Sequence, residues 1–197
     1  MQRLLILCIV LGSCILLQDA GALETSVHGA IVPGESVAGV NLGSSLSDFQ
    51  TVFPNNPRNE EKGYDSVCAG TYYQWFDADL VATGLFVYIK DNKIYQISVQ
   101  TPRFSTQNGI KMDSSESSVM RNFPNGQLYV LLHSGNESVG GRDLEYWVDS
   151  KDGIAFEFYW NRLRKMRLVG AIDIFSTASS YRPEGCISPP RQWQLLK

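Results

Sequence analysis

Gly39-Val40-Asn41-Leu42-Gly43-Ser44-Ser45 leads into a short stretch that closes on Phe53-Pro54-Asn55, and the pattern returns seventy residues later. There Gly109-Ile110-Lys111-Met112-Asp113-Ser114-Ser115 leads to Phe123-Pro124-Asn125. Seven of the 17 aligned positions are identical: a glycine, three serines, a phenylalanine, a proline and an asparagine. Self-similarity at a fixed spacing points to a chain built from two like units.

Each copy has a physical reading. Ser44 or Ser45 is suited to cap a helix, with Ser47 or Asp48 three residues on. Leu46, Phe49 and Phe53 then share one helical face, and Pro54 ends the run. In the second copy Val119, Met120 and Phe123 take that role and Pro124 stops it. Downstream, Tyr73-Gln74-Trp75-Phe76-Asp77 pairs with Glu145-Tyr146-Trp147-Val148-Asp149. Gly84 to Ile89 pairs with Gly153 to Phe158. Leu85, Val87 and Ile89 alternate with Phe86, Tyr88 and Lys90, the pattern of a half-buried strand. Asp91-Asn92 supplies a hairpin turn. Ile94, Ile97 and Val99 lie on the returning strand, and Met166 and Leu168 match the last two.

These blocks predict an α+β fold of two similar units, each a short helix packed on an antiparallel β-sheet. The first unit spans 31–99, a linker 100–108, the second unit 109–175 and a C-terminal tail 176–197. Neither unit buries much alone, so the two are expected to pack together. Trp193 and Leu195 are placed to anchor the end of the Ser- and Pro-rich tail.

Residues 1–22 read as a secretory signal peptide. Arg3 supplies the positive end, Leu4 to Leu17 the apolar run, and Ala20-Gly21-Ala22 the small residues before cleavage. The run is too short to span a bilayer, which takes roughly 20 residues. Leu11-Gly12-Ser13-Cys14 offers an alternative, a lipid anchor at Cys14, but the apolar run continues past the cysteine. The expected location is secreted or periplasmic. Removing the leader takes Cys8 and Cys14 with it. Cys68 and Cys186 remain, and in an exported chain two cysteines suggest one disulfide. Closing so long a loop is worth about 4–5 kcal/mol in the chain-entropy model.

The 197 residues are 44% hydrophobic and 19% charged, enough to build a core. A net charge of -3 without long runs of one sign argues against nucleic acid as a partner. No nucleophile elbow, zinc-protease helix, phosphate loop or dinucleotide fingerprint appears. His28 and His133 stand apart from partner residues. Asp77 with Asp79, or Asp149 with Asp152, could offer oxygens to a divalent ion, but the spacing of a calcium loop is absent. Asn136-Glu137-Ser138 is a short glycosylation sequon. No catalytic residue, metal site or cofactor is expected.

What remains is a surface. With Val87, Ile89, Ile97 and Val99 turned to the helix, Phe86, Tyr88 and Gln96 face outward. The matching outward set in the second unit is Glu157, Tyr159, Lys165 and Arg167. Tyrosine and arginine favour protein–protein contacts because they join large area to a polar handle. Arg162, Arg164, Lys165 and Arg167 form the densest basic cluster, which strand alternation would divide between two faces.

The Gly-x-Ser helix start, the proline stop, the Trp-bearing strand and the hairpin resemble two families. One is the SmpA/OmlA-type domain of envelope lipoproteins, the other the tandem-repeat β-lactamase inhibitory proteins. The stretches that carry the resemblance are Leu42 to Pro54, Met112 to Pro124, Trp75 and Trp147 with the later hairpins. Asp113 departs from the pattern where a glycine is expected, and the cysteines differ from the inhibitors' pairing within each unit. The resemblance implies a fold and a style of binding rather than a target. The expected function is a secreted or periplasmic, non-enzymatic protein-binding module: an inhibitor, immunity protein or envelope adaptor. The alternatives are a small-ligand carrier with an apolar pocket between helix and sheet, and a hydrolase with a dispersed site.

Overall fold

The structure is a computed structural model that describes residues 29–53, 60–63, 71–77, 82–132, 143–182 and 193–196. The leader, Cys14, Cys68, Cys186, both histidines, Asp79 and the Asn136 sequon lie outside the described residues.

Local chemistry starts both helices. Ser45 caps α1 (Leu46–Val52): its Oγ accepts from the Asp48 N–H at 3.2 Å, and the Ser45 N–H donates to Asp48 Oδ2 at 2.9 Å. This reciprocal pair satisfies two backbone donors at the helix start, and the Ser45 N–H holds the Asp48 carboxyl below its ordinary pKa. Ser115 caps α2 (Glu116–Asn122) through Ser118 N–H at 3.2 Å. The turns before the helices share backbone signs: Gly39 and Gly43 have φ of +83° and +85°, Gly109 and Asp113 +77° and +64°. Aspartate tolerates the left-handed region because its short side chain bonds locally. Asp113 Oδ1 accepts from the Tyr159 hydroxyl at 2.6 Å. Asp113 thus stands where a glycine was expected without changing the turn.

Strands carry the rest. β1 (Ala30–Val32), β2 (Ser36–Val37), β3 (Val40–Asn41) and β8 (Ser105–Thr106) form a small sheet in the order β3-β2-β1-β8. The main sheet takes β4 (Glu60–Gly63), β5 (Thr71–Asp77), β6 (Ala82–Lys90) and β7 (Lys93–Val99) from one half. From the other it takes β9 (Gln127–Leu131), β10 (Leu144–Asp149), β11 (Ile154–Asn161) and β12 (Met166–Phe175), with β13 (Trp193–Leu195) at its edge. Among the described residues it has nine strands in the order β13-β9-β10-β11-β12-β7-β6-β5-β4.

This corrects the expected fold class. The described residues are mostly β, and the two halves do not form two separate helix-on-sheet units. β7 pairs antiparallel with β12, Val99 opposite Ile172 and Ile97 opposite Ile174, and joins both halves in one sheet. The physical reason is the cost of edges. Two sheets would leave β7 and β12 with rows of open N–H and C=O groups, and pairing them removes both rows. Each helix has only seven residues, too few to define a layer alone.

The main apolar core is shared by both halves, and a smaller cluster of Leu131, Tyr146, Val148, Ala155, Phe175 and Tyr181 is separate from it. Phe49, Phe53, Val87, Ile97 and Val99 from the first half join Val119, Phe123, Phe156, Val169 and Ile172 from the second. Phe104, from the segment expected to link the units, is fully buried and meets Phe53 edge-on at 6.0 Å. The tail also contributes: Trp193 stacks on Tyr129 at 4.8 Å, and β13 pairs with β9.

Each matched tryptophan lies over a glycine. A Cβ built on Gly84 would meet the Trp75 ring at 2.4 Å, and one on Gly126 the Trp147 ring at 2.1 Å. The Trp147 indole N–H also donates to the Phe123 carbonyl at 2.8 Å, tying strand to helix end. Gly84→Ala and Gly126→Ala should therefore each lower unfolding free energy by about 1–3 kcal/mol, the usual cost of overpacking. Urea titrations followed by tryptophan fluorescence would read the loss, and unchanged midpoints would contradict this packing.

Candidate functional site

Strand alternation places polar and aromatic groups on the sheet face opposite the helices. Tyr72 on β5, Phe86 and Tyr88 on β6, Ser98 on β7, Tyr146 on β10, Glu157 on β11 and Asp173 on β12 line one cleft with Gln100. Its volume is about 270 Å³. The Tyr72 and Phe86 rings lie 5.9 Å apart, and Phe86 and Tyr88 stack at 6.5 Å, forming an aromatic wall.

The opposite side is acidic. Glu157 Oε2 accepts from the Tyr146 hydroxyl at 3.1 Å. Asp173 lies at the base, 4% exposed, and its Oδ2 accepts from the buried Tyr181 hydroxyl at 2.5 Å. In register Asp173 opposes Ala155 and Glu157 opposes Ala171, so the carboxylates are diagonal neighbours on the central strands. Burial pushes the Asp173 carboxyl up to about 6, against hydrogen bonds from Ser98 and Tyr181 that lower it. Burial, followed by the Asp173 charge, raises Tyr181 well above its ordinary value. A half-open cleft of π faces over carboxylates suits a cationic group, through cation–π attraction and ion pairing together.

The residues expected on one outward surface separate into three places. Phe86, Tyr88 and Glu157 do line the cleft, although Tyr88 is 7% exposed. Gln96 is buried, and its side-chain amide donates to the Arg182 carbonyl at 2.9 Å, so the tail covers it. Tyr159, Lys165 and Arg167 lie elsewhere. Tyr159 is turned to Asp113, a bond that raises its pKa. Lys165 sits in the β11–β12 turn with φ of +51°. Arg167 bridges Glu116 of α2 at 3.1 Å and Glu145 of β10 at 2.7 Å.

The cause for Arg167 is a bulge. Phe158 pairs with Val169 while Glu157 pairs with Ala171, which leaves Gly170 as an extra residue in β12. One inserted residue reverses the facing of every side chain beyond it. Val169 therefore enters the core with Ile172 and Ile174, and Arg167 shares the helix side with it.

Sequence reading missed Tyr72, Ser98, Gln100, Tyr146, Asp173 and Tyr181. Asp173 and Ser98 did carry a signal, each a polar residue between apolar neighbours in a strand: Ile172 and Ile174, Ile97 and Val99. Tyr181 carried none, since it comes from the tail.

No family model matches this chain, and no curated protein matches it. Among solved structures, the chain is similar to the uncharacterized protein yfeY from Escherichia coli, with a TM-score of 0.47 and 14% identity. The match covers 75% of this chain and 98% of that one.

Other expected sites were also placed. The Asp149 carboxylate is buried and takes the Lys151 and Asp152 N–H groups at 3.2 Å, closing the β10–β11 turn. Burial raises its pKa. Asp77 pairs with Arg103 and takes the Thr101 hydroxyl at 3.2 Å. Among the described residues no group of three or more His, Cys, Asp or Glu is placed to hold a metal ion. None of their helices is long and apolar enough to cross a membrane.

Asp173 should set a pH dependence of stability. Its folded pKa of about 6 lies above the ordinary 3.8, so the folded state holds the proton more tightly than the unfolded chain. Its contribution is fully present below 3.8, is lost as pH rises to about 6, and stays lost above that. The total is about 3 kcal/mol. Asp173→Asn should be more stable than the native chain at pH 8 and lose that advantage towards pH 4. Urea melts at both pH values would show it, and parallel behaviour would contradict it.

Proposed function

We propose that this chain is a secreted or periplasmic, non-enzymatic protein-binding module whose sheet face takes a basic side chain of its partner. The observation that carries the reading is the cleft between the Tyr72–Phe86–Tyr88 wall and the Glu157 and Asp173 carboxylates. A lysine or arginine inserted there would meet ring faces along its stem and a carboxylate at its tip. Binding would act by occlusion, as in an inhibitor, immunity protein or envelope adaptor, and calls for no bond making.

Core packing weighs against a carrier with its pocket between helix and sheet. Phe49, Phe53, Val119, Phe123 and Phe156 occupy that space at no more than 4% exposure. His133, on which a hydrolase reading rested, lies outside the described residues.

Butylammonium and ethylguanidinium are suitable probes of the cleft, with acetate as the negative control. NMR titration at millimolar concentration should shift Tyr72, Phe86 and Tyr88 ring signals with both cations and not with acetate. Glu157→Gln and Phe86→Ala should each weaken cation binding roughly fivefold, as a part-exposed ion pair or cation–π contact implies. Glu157→Gln should hardly change the melting temperature, whereas Phe86→Ala should lower it by a few degrees because it removes the ring contacts with Tyr72 and Tyr88. Binding should strengthen between pH 5 and 7 as Asp173 ionises, and Asp173→Asn should remove that rise. Equal shifts with acetate, or none with either cation, would reject the cleft as a cation site.

A further inference from the structure

Among the described residues the β11–β12 hairpin runs past its neighbouring strands. The last β10–β11 pair is Glu145 with Phe158, and the β12–β7 pairing begins only at Ile172 with Val99. From Tyr159 to Leu168 the hairpin continues as a two-stranded ribbon, held at its base by the Ser115–Leu168 bridge. Its tip is Trp160-Asn161-Arg162-Leu163-Arg164-Lys165-Met166.

Three large apolar side chains are exposed there: Leu163 at 96%, Trp160 at 54% and Met166 at 37%. Arg162, Arg164 and Lys165 are exposed in the same turn. The alternation that would divide basic residues between two faces stops here, because these three belong to the turn rather than to a strand. Arg167 is excluded from the group, since Glu116 and Glu145 engage it. The turn is built: Asn161 Oδ1 accepts from the Arg164 N–H at 2.9 Å, and Lys165 holds the left-handed position.

We propose that this tip is a docking finger for an anionic lipid surface. Exposed apolar side chains mark a protein or a membrane contact, and the three cations beside Leu163 favour an anionic lipid surface. A bilayer interface accepts the tip: leucine and methionine enter the acyl boundary, tryptophan rests among headgroups, and the surrounding cations meet lipid phosphates. The chain as a whole carries -3, so the attraction belongs to the finger alone. The finger adds a surface that the cleft reading does not require.

Cosedimentation with vesicles tests this on the full chain. Vesicles of phosphatidylcholine with phosphatidylglycerol should bind the protein, and phosphatidylcholine alone should bind it far less. High salt should release it. The triple variant Arg162→Gln, Arg164→Gln, Lys165→Gln should lose roughly a hundredfold in partitioning, at about fivefold per cation. Leu163→Ser should also weaken binding, and it should leave the melting temperature unchanged because the side chain is exposed. The apolar stretch 4–17 is common to the native and variant chains, so the finger is read from the difference between them on the same vesicles. No binding to either vesicle, equal binding to both, or variants that bind like the native chain would overturn the proposal.

Discussion

The antiparallel contact between β7 and β12 is the constraint on which the rest depends. Ile97 opposite Ile174 and Val99 opposite Ile172 join two meanders into one sheet. Through that seam the aromatic residues under α1 and α2 share one core, so neither half must build its own. The seam also brings Ser98 and Asp173 side by side on the other face. Without it the cleft would lose the strand that supplies its buried acid.

A single extra residue then decides what each face presents. Gly170 displaces the register of β12 against β11 and sends Arg167 to the helix side, where two glutamates receive it. Glu157, before the displacement, stays in the cleft. The bulge thus keeps Arg167 away from the acids of the cleft. Had the register run on, Arg167 would share the face of Glu157 and Asp173.

The cleft places costly groups together. Asp173 is buried between Ile172 and Ile174, and two hydroxyls, Ser98 from β7 and Tyr181 from the tail, reduce the cost of its charge without removing it. The tail is therefore part of the site. Tyr181 reaches the carboxylate, Trp193 packs on Tyr146 at 5.4 Å, and the Arg182 carbonyl covers Gln96.

Local chemistry was legible from the chain alone. Serine caps, proline stops, glycine turns and the strand alternation of Leu85 to Ile89 act over a few residues, and the structure keeps the Ser45 cap and the Asp91-Asn92 turn. Phe86, Tyr88 and Glu157 were legible as one face for the same reason, since side-chain facing alternates along a strand. The strand partner of β7, the bulge at Gly170 and the path of the tail were not. Each depends on which distant segment fills an open edge or an unpaired polar group, and a linear pattern holds no distance between segments. So the sequence determined the two helices, the hairpin strands and the facing of Phe86, Tyr88 and Glu157, while β1–β4, β8, β9 and β13 went unread. Tertiary pairing decided that the fold is one β-sheet, which acids meet in the cleft, and which basic residues remain for the tip.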